Sequence, residues 1–136
     1  MLTGSCLCKA VRYQIDGRVD GASHCHCSQC RKSHGAAFAT YGHVRYADFR
    51  LLSGAGSIAR YQASPQAIRT FCRTCGSNLQ WCPTGNAEYF ALALGTLDDD
   101  PGVRAERHIF VGSKAPWYVI ADRLSQFAEY PGADQA

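Results

Sequence analysis

Charge is scarce in this chain. Asp, Glu, Lys and Arg make up 18% of its 136 residues, against roughly a quarter in an ordinary soluble domain. The formal net charge is +3, and the densest basic spots are Arg31-Lys32 and Lys114. A nucleic-acid binder carries a basic stripe, and none is present. No run approaches the ~20 apolar residues of a membrane span. The start, Met1-Leu2-Thr3-Gly4-Ser5-Cys6, has neither the charged nor the apolar part of a signal peptide. The chain therefore reads as cytoplasmic, with no nucleic-acid and no membrane partner. It also lacks G-x-S-x-G, a phosphate-binding glycine loop and H-E-x-x-H. Serine hydrolase, nucleotide enzyme and zincin readings lose their support. No segment of ten or more residues has a convincing 3.6 period, and there is no repeat, low-complexity tract or linker.

What remains is a single domain over residues 1–136, built from short strands. Hydrophobic residues make up 46% of it, enough for a modest core. Val11, Tyr13 and Ile15 alternate on one face of a strand. Ser28 to His34 suits a short helical turn closed by Gly35. Ala36 to Val44 and Phe49 to Leu52 are strand-like. Ile58 to Gln62 and Ala67 to Phe71 read as a hairpin broken at Ser64-Pro65, and the second strand delivers Cys72. Asn78 to Trp81, Glu88 to Leu94, Arg107 to Val111 and Trp117 to Ile120 complete the set. Asp16-Gly17 and Asp20-Gly21 are turn dipeptides, and Asp98-Asp99-Asp100 is most simply a solvated turn. The fold class is mainly β, with antiparallel strands stapled by a four-cysteine site.

Cysteine is where the chemistry concentrates. Eight cysteines are present, and in a cytoplasmic protein clustered thiols are more often metal ligands or catalytic groups than disulfides. Cys6 and Cys8 form a C-x-C pair, and Cys72 and Cys75 form a C-x-x-C pair. Two distant short pairs make a closed structural zinc site. Gly76, after the second pair, lets the chain fold back so that backbone N–H groups reach sulfur. Buried free thiols are the bland reading of these four.

The central triple is different. Cys25, Cys27 and Cys30 follow the spacing C-x-C-x-x-C. Three protein ligands with a free fourth position describe a catalytic zinc, whereas four describe a structural one. His24, His26, His34 or Cys82 are candidates for a fourth ligand that would close the site. Three thiolates leave the zinc centre at −1, a weak Lewis acid suited to an incoming soft thiolate. Arg31 and Lys32 are placed to meet carboxylates of a thiol ligand, or are plain surface. Cys82, in Trp81-Cys82-Pro83, reads as a buried thiol. His43 and His108 carry no motif of their own.

Four stretches taken together are distinctive. They are Gly4 to Tyr13, Cys25 to Gly35, Phe71 to Ser77, and His108 to Tyr118. In that order they resemble the glutathione-dependent formaldehyde-activating enzyme family, also called the centromere-protein-V family. The resemblance runs from Gly4 to about Pro131. It implies a zinc-binding β-tent fold and two Zn2+. A structural ion would sit on Cys6, Cys8, Cys72 and Cys75, and a catalytic one on Cys25, Cys27 and Cys30. It implies a carbon-sulfur lyase acting on S-hydroxymethylglutathione, with glutathione as co-substrate and a small thiol and an aldehyde as partners. The competing reading is a non-catalytic zinc module that binds or carries a thiol adduct or a protein partner.

Overall fold

The computed structural model describes residues 1–132. Along them run β1 (Leu2–Ser5), β2 (Arg12–Ile15), β3 (Asp20–Cys25), α1 (Ser28–His34), β4 (Ala39–Arg45) and β5 (Phe49–Ser53). Then follow β6 (Ile58–Ser64), β7 (Ala67–Cys72), β8 (Asn78–Pro83), β9 (Tyr89–Ala93), β10 (Arg107–Ile109) and β11 (Ser125–Gln126). The chain is mainly β. It forms two compact units, one of Met1–Asp20 with Gly42–Val103, the other of Gly21–Tyr41 with the chain from Arg104. β4 starts in the second and ends in the first. Among the described residues no helix is long and apolar enough to cross a membrane.

In the first unit, β1, β2 and β5 make an antiparallel sheet, with Leu2 opposite Ile15 and Ile15 opposite Phe49. The alternation of Val11, Tyr13 and Ile15 has its expected result, since all three side chains are buried. β6, β7, β8 and β9 form an antiparallel meander. Its first hairpin turns at Ser64-Pro65, where proline's missing N–H breaks the ladder. The core of this unit holds Tyr13, Ile15, Val19, Val44, Cys82, Phe90 and Leu92. Tyr13 stacks on Phe49 at 5.2 Å, and Phe49 meets Phe90 edge-on at 5.1 Å. Full burial of Phe90 contributes about 1.5–3 kcal/mol of transfer free energy. The Asp98–Asp100 stretch does more than face solvent. Asp99 Oδ2 accepts from Thr3 N at 2.7 Å, and Asp98 Oδ1 accepts from Ser5 Oγ at 3.0 Å.

In the second unit, β10 lies parallel to both β3 and β11. His108 pairs with His24 and Ile109 with Cys25. This departs from a purely antiparallel expectation. Parallel neighbours need a long crossover, and Gly42–Val103 supplies one between β3 and β10. α1 forms where expected. The Cys27 thiol accepts from Cys30 N at its start, and Gly35, at φ +59, ends it. Asp20-Gly21 opens β3, although Gly21 keeps the left-handed backbone of a turn at φ +59. Trp117 to Ile120 makes no strand. Tyr118 N donates to Ala115 O at 3.2 Å, and the Lys114 ammonium donates to the carbonyls of Ala115 and Tyr118, so the segment curls after Pro116.

Candidate metal centres and their surroundings

Four sulfurs gather in the first unit. Cys6, Cys8, Cys72 and Cys75 lie with their Sγ atoms all within 4.8 Å of one another. Two tight turns bring them there. Lys9 takes φ +66 behind the first pair, and Gly76 takes φ +80 behind the second. Lys9 N donates to Cys6 O at 3.0 Å, and Gly76 N to Cys72 O at 2.7 Å. Leu7 N donates to Ser77 Oγ at 2.9 Å and ties one turn to the other. Buried Val11 and Leu79 pack against Cys6 and Cys72.

Hydrogen-bond donors are aimed at three of these sulfurs, while the Cys8 thiol is raised to about 11. Val11 N donates to Cys6 Sγ at 3.3 Å. Backbone N–H groups of Cys75 and Thr74 lower the Cys72 thiol. The Ser77 hydroxyl, 3.2 Å from Cys75 Sγ, and the Ser77 N–H lower Cys75. Donors aimed at sulfur stabilise thiolates, the form that binds metal. Four soft donors at this spacing fit a tetrahedral ion of the zinc type. Arg73 is directed elsewhere, with its Nη2 donating to Ile58 O at 3.2 Å.

Three sulfurs gather in the second unit. Cys25, Cys27 and Cys30 have Sγ atoms all within 4.8 Å of one another. Cys25 ends β3, Cys27 caps α1, and Cys30 lies in its first turn, so a strand end and a helix start fix the triple. Cys25, Cys30 and Ala39 are buried together, with Ile109 and Phe110 packed against them. Hydrogen bonds from the neighbouring thiols and from the N–H groups of Cys30 and Gln29 pull Cys27 well below the ordinary thiol value. The same sharing and burial push Cys25 up. Such a group holds its protons unequally and suits a cation better than three separate thiols.

Among the described residues, no fourth Cys, His, Asp or Glu ligand atom belongs to this group. His24 is engaged elsewhere, with Nδ1 2.7 Å from Thr40 Oγ1. His34 Nε2 lies 2.7 Å from the Tyr41 hydroxyl. Cys82 sits in the core of the first unit, as its apolar context suggests. Burial and then its hydrogen bond to Cys82 push the Tyr46 hydroxyl up to about 12. Arg31 Nε donates to Ser113 O at 3.1 Å, which fixes its guanidinium over the loop after β10, while Lys32 is exposed.

His24 and His26, on either side of Cys25 in sequence, belong to a cluster of rings that sequence reasoning leaves scattered. Phe38 stands 4.5 Å from His24, 5.1 Å from His26 and 5.5 Å from Tyr118, between ring centroids. His108 is 5.0 Å from His26 and 4.9 Å from His24. Its Nε2 lies 2.9 Å from Asp122 Oδ2. That contact, with Leu124 N–H, holds the Asp122 carboxyl below its ordinary value. Burial first, then His108, His24, Lys114 and Arg31, push His26 down to about 4, so it is neutral at physiological pH. Tyr130 packs edge-on against Phe110 at 4.8 Å. Burial and then the charges of Cys25, Cys27 and Cys30 raise it. His108, Asp122 and Tyr130 come from the end of the chain. The one sequence signal was that His108 opens the last of the four stretches.

The model of the family described as "Glutathione-dependent formaldehyde-activating enzyme" matches residues 1–113. A Schizosaccharomyces pombe protein named only as an uncharacterized lyase is 23% identical over 124 residues, covering 91% of this chain and 88% of that protein. A crystal structure of a Rhodobacter sphaeroides protein aligns with a TM-score of 0.61 at 29% identity, over 75% of this chain and 90% of that one.

Proposed function

The chain belongs to the glutathione-dependent formaldehyde-activating enzyme family, and from that premise we propose that it is a zinc-dependent carbon-sulfur lyase and synthase. The proposed reaction joins glutathione and formaldehyde to S-hydroxymethylglutathione and reverses it. In the forward direction the sulfur adds to the carbonyl carbon, a C–S bond forms, and the carbonyl oxygen takes up the proton that sulfur loses. No oxidant or reductant is needed.

The observation that carries this reading is the inequality of the two sulfur groups, four in one and three in the other. Cys6, Cys8, Cys72 and Cys75 would hold a structural zinc. Cys25, Cys27 and Cys30 would hold the catalytic one. Zinc on three thiolates would take a soft sulfur ligand at a fourth position and lower the pKa of that thiol. The chain's own residues supply the rest. α1 and β3 fix the three thiolates, and the backbone N–H of Cys30 supports the charge on Cys27. Ala39, Ile109 and Phe110, packed against the three cysteines, are the proposed apolar boundary of the site. Holding both reactants together supplies the proximity advantage. We take residues 1–136 to serve one function as a single domain, in the cytoplasm, where thiols stay reduced.

Exchange NMR on an equilibrium mixture of glutathione and formaldehyde tests the proposal. The interconversion rate of free glutathione and adduct should rise in proportion to zinc-loaded protein. The gain should vanish in Cys27→Ser. Broadened glutathione signals without a rate gain would replace the enzyme reading with that of a carrier. No effect of either kind would remove glutathione from the function.

A further inference from the structure

The sulfur side of β3 continues onto the end of the chain. Ile109 stands opposite Cys25 in register. It packs, with Phe110, against Cys25, Cys30 and Ala39. Phe110 takes φ +57. A bulky residue in the left-handed region is an outlier, and such backbone persists only where its surroundings hold it, often at functional sites. Three hydrogen bonds hold it here. Phe110 N donates to Glu129 O at 3.2 Å, Val111 N to Phe127 O at 3.0 Å, and Gly112 N to Ala128 O at 3.2 Å. They lay residues 127–129 along the loop after β10. Tyr130 follows, edge-on to the Phe110 ring at 4.8 Å.

Phe110 thus touches both the sulfur group and Tyr130. Tyr130 is 53% exposed, so a ligand can reach it from solvent. Cys27 is the one cysteine of the triple that is not buried, so the sulfur group is reachable as well. The phenol also lies in the field of all three sulfurs. Burial first, then the charges of Cys25, Cys27 and Cys30, raise it. It keeps its proton at neutral pH and can donate, whereas an aldehyde oxygen can only accept.

We propose that Tyr130 is a catalytic donor, whose hydroxyl gives a hydrogen bond to the aldehyde oxygen as sulfur adds to the carbonyl carbon. This rests on the proposed function for the reaction, while the placement of Tyr130 beside the sulfurs stands on the contacts alone. As the C–S bond forms, the carbonyl oxygen gains negative charge, and a donor aimed at that oxygen lowers the barrier. The thiol proton leaves to water, and the oxygen takes its proton from water. The phenol keeps its own, so Tyr130 ends the step as it began. In the reverse direction the same bond supports the same oxygen while the C–S bond breaks.

Two measurements test this. In cobalt-loaded protein with carbon-labelled tyrosine, the Tyr130 ring signal, assigned by its absence from Tyr130→Phe, should be shifted and broadened. The effect should be lost in Cys27→Ser. A Tyr130 signal that cobalt leaves unmoved overturns the inference. Exchange NMR on glutathione and formaldehyde then reads the reaction. In zinc-loaded Tyr130→Phe the rate at saturating reactants should fall about tenfold, the loss of one hydrogen bond. Bound zinc, melting temperature and the glutathione concentration for half-maximal rate should stay as they are. Phenylalanine keeps the ring, so an undiminished rate reduces Tyr130 to packing and overturns the inference while the proposed function stands. A rate lost together with zinc or with melting temperature makes Tyr130 structural and overturns it too. If the native protein gives no rate gain, the proposed function fails and the catalytic role falls with it. The cobalt shift still judges the placement separately.

Discussion

A histidine buried between Cys25 and Cys27 in sequence is kept neutral by its surroundings, and this sets a pH dependence. His26 is pushed from the ordinary 6.5 down to about 4, chiefly by burial. Between those values the unfolded chain takes up a proton that the folded one does not, so stability is present above about pH 6.5 and falls as pH drops toward 4. Thermal melts at pH 7 and pH 5 should show a larger drop for the native protein than for His26→Gln. An equal drop would assign the acid sensitivity to other groups. At the same scale, Cys27→Ser removes a sulfur while serine, a favoured N-cap, can still cap α1. It should lower bound zinc by one equivalent and leave the far-UV circular dichroism little changed. The grouping of the sulfurs was readable from spacing, because C-x-C and C-x-x-C geometry is local. The partners of His26 were not, because His108 lies 82 residues away and only the folded sheet brings it near.

Two of the three cysteines sit at the start of a single short helix, and that helix's end is its weak point. Gly35 adopts φ +59, and a Cβ built there meets nothing within 4 Å. Gly35→Ala should therefore cost only the left-handed backbone penalty, about 1–2 kcal/mol. Gly35→Asn should recover part of it, since Asn tolerates that region better. Melting temperatures and the Co2+ spectrum of the second site would measure both. Elements with a local signature were legible in this way. α1 had its closing glycine, β2 its alternation, and the β6–β7 hairpin its proline. Trp117 to Ile120 had strand-forming residues but not strand surroundings. The Lys114 ammonium takes the Tyr118 carbonyl, and the Tyr118 N–H turns back to Ala115 O. β11 is two residues long and exists through pairing with β10, which no local pattern announces.

At the scale of the whole molecule, the two sulfur groups should fail differently. The four-cysteine group joins turns more than sixty residues apart in sequence, as the 3.8 Å contact of Cys8 with Cys72 shows. Its metal would be part of the folding energy of the first unit. Cys72→Ser should broaden or abolish the cooperative melt, whereas Cys27→Ser should keep it. Calorimetry on the two variants separates them, and similar melts would deny the closed site its structural role. The division of the chain has a further consequence, at the ribosome. The second unit is made of Gly21–Tyr41 and the chain from Arg104, with Gly42–Val103 between. At about 5–20 residues per second, that intervening segment takes roughly 3–12 s to synthesise. In the later part of that interval Cys25, Cys27 and Cys30 are outside the ribosome without β10 beside them, and three nascent thiols are open to capture by whichever soft ion or oxidant arrives first.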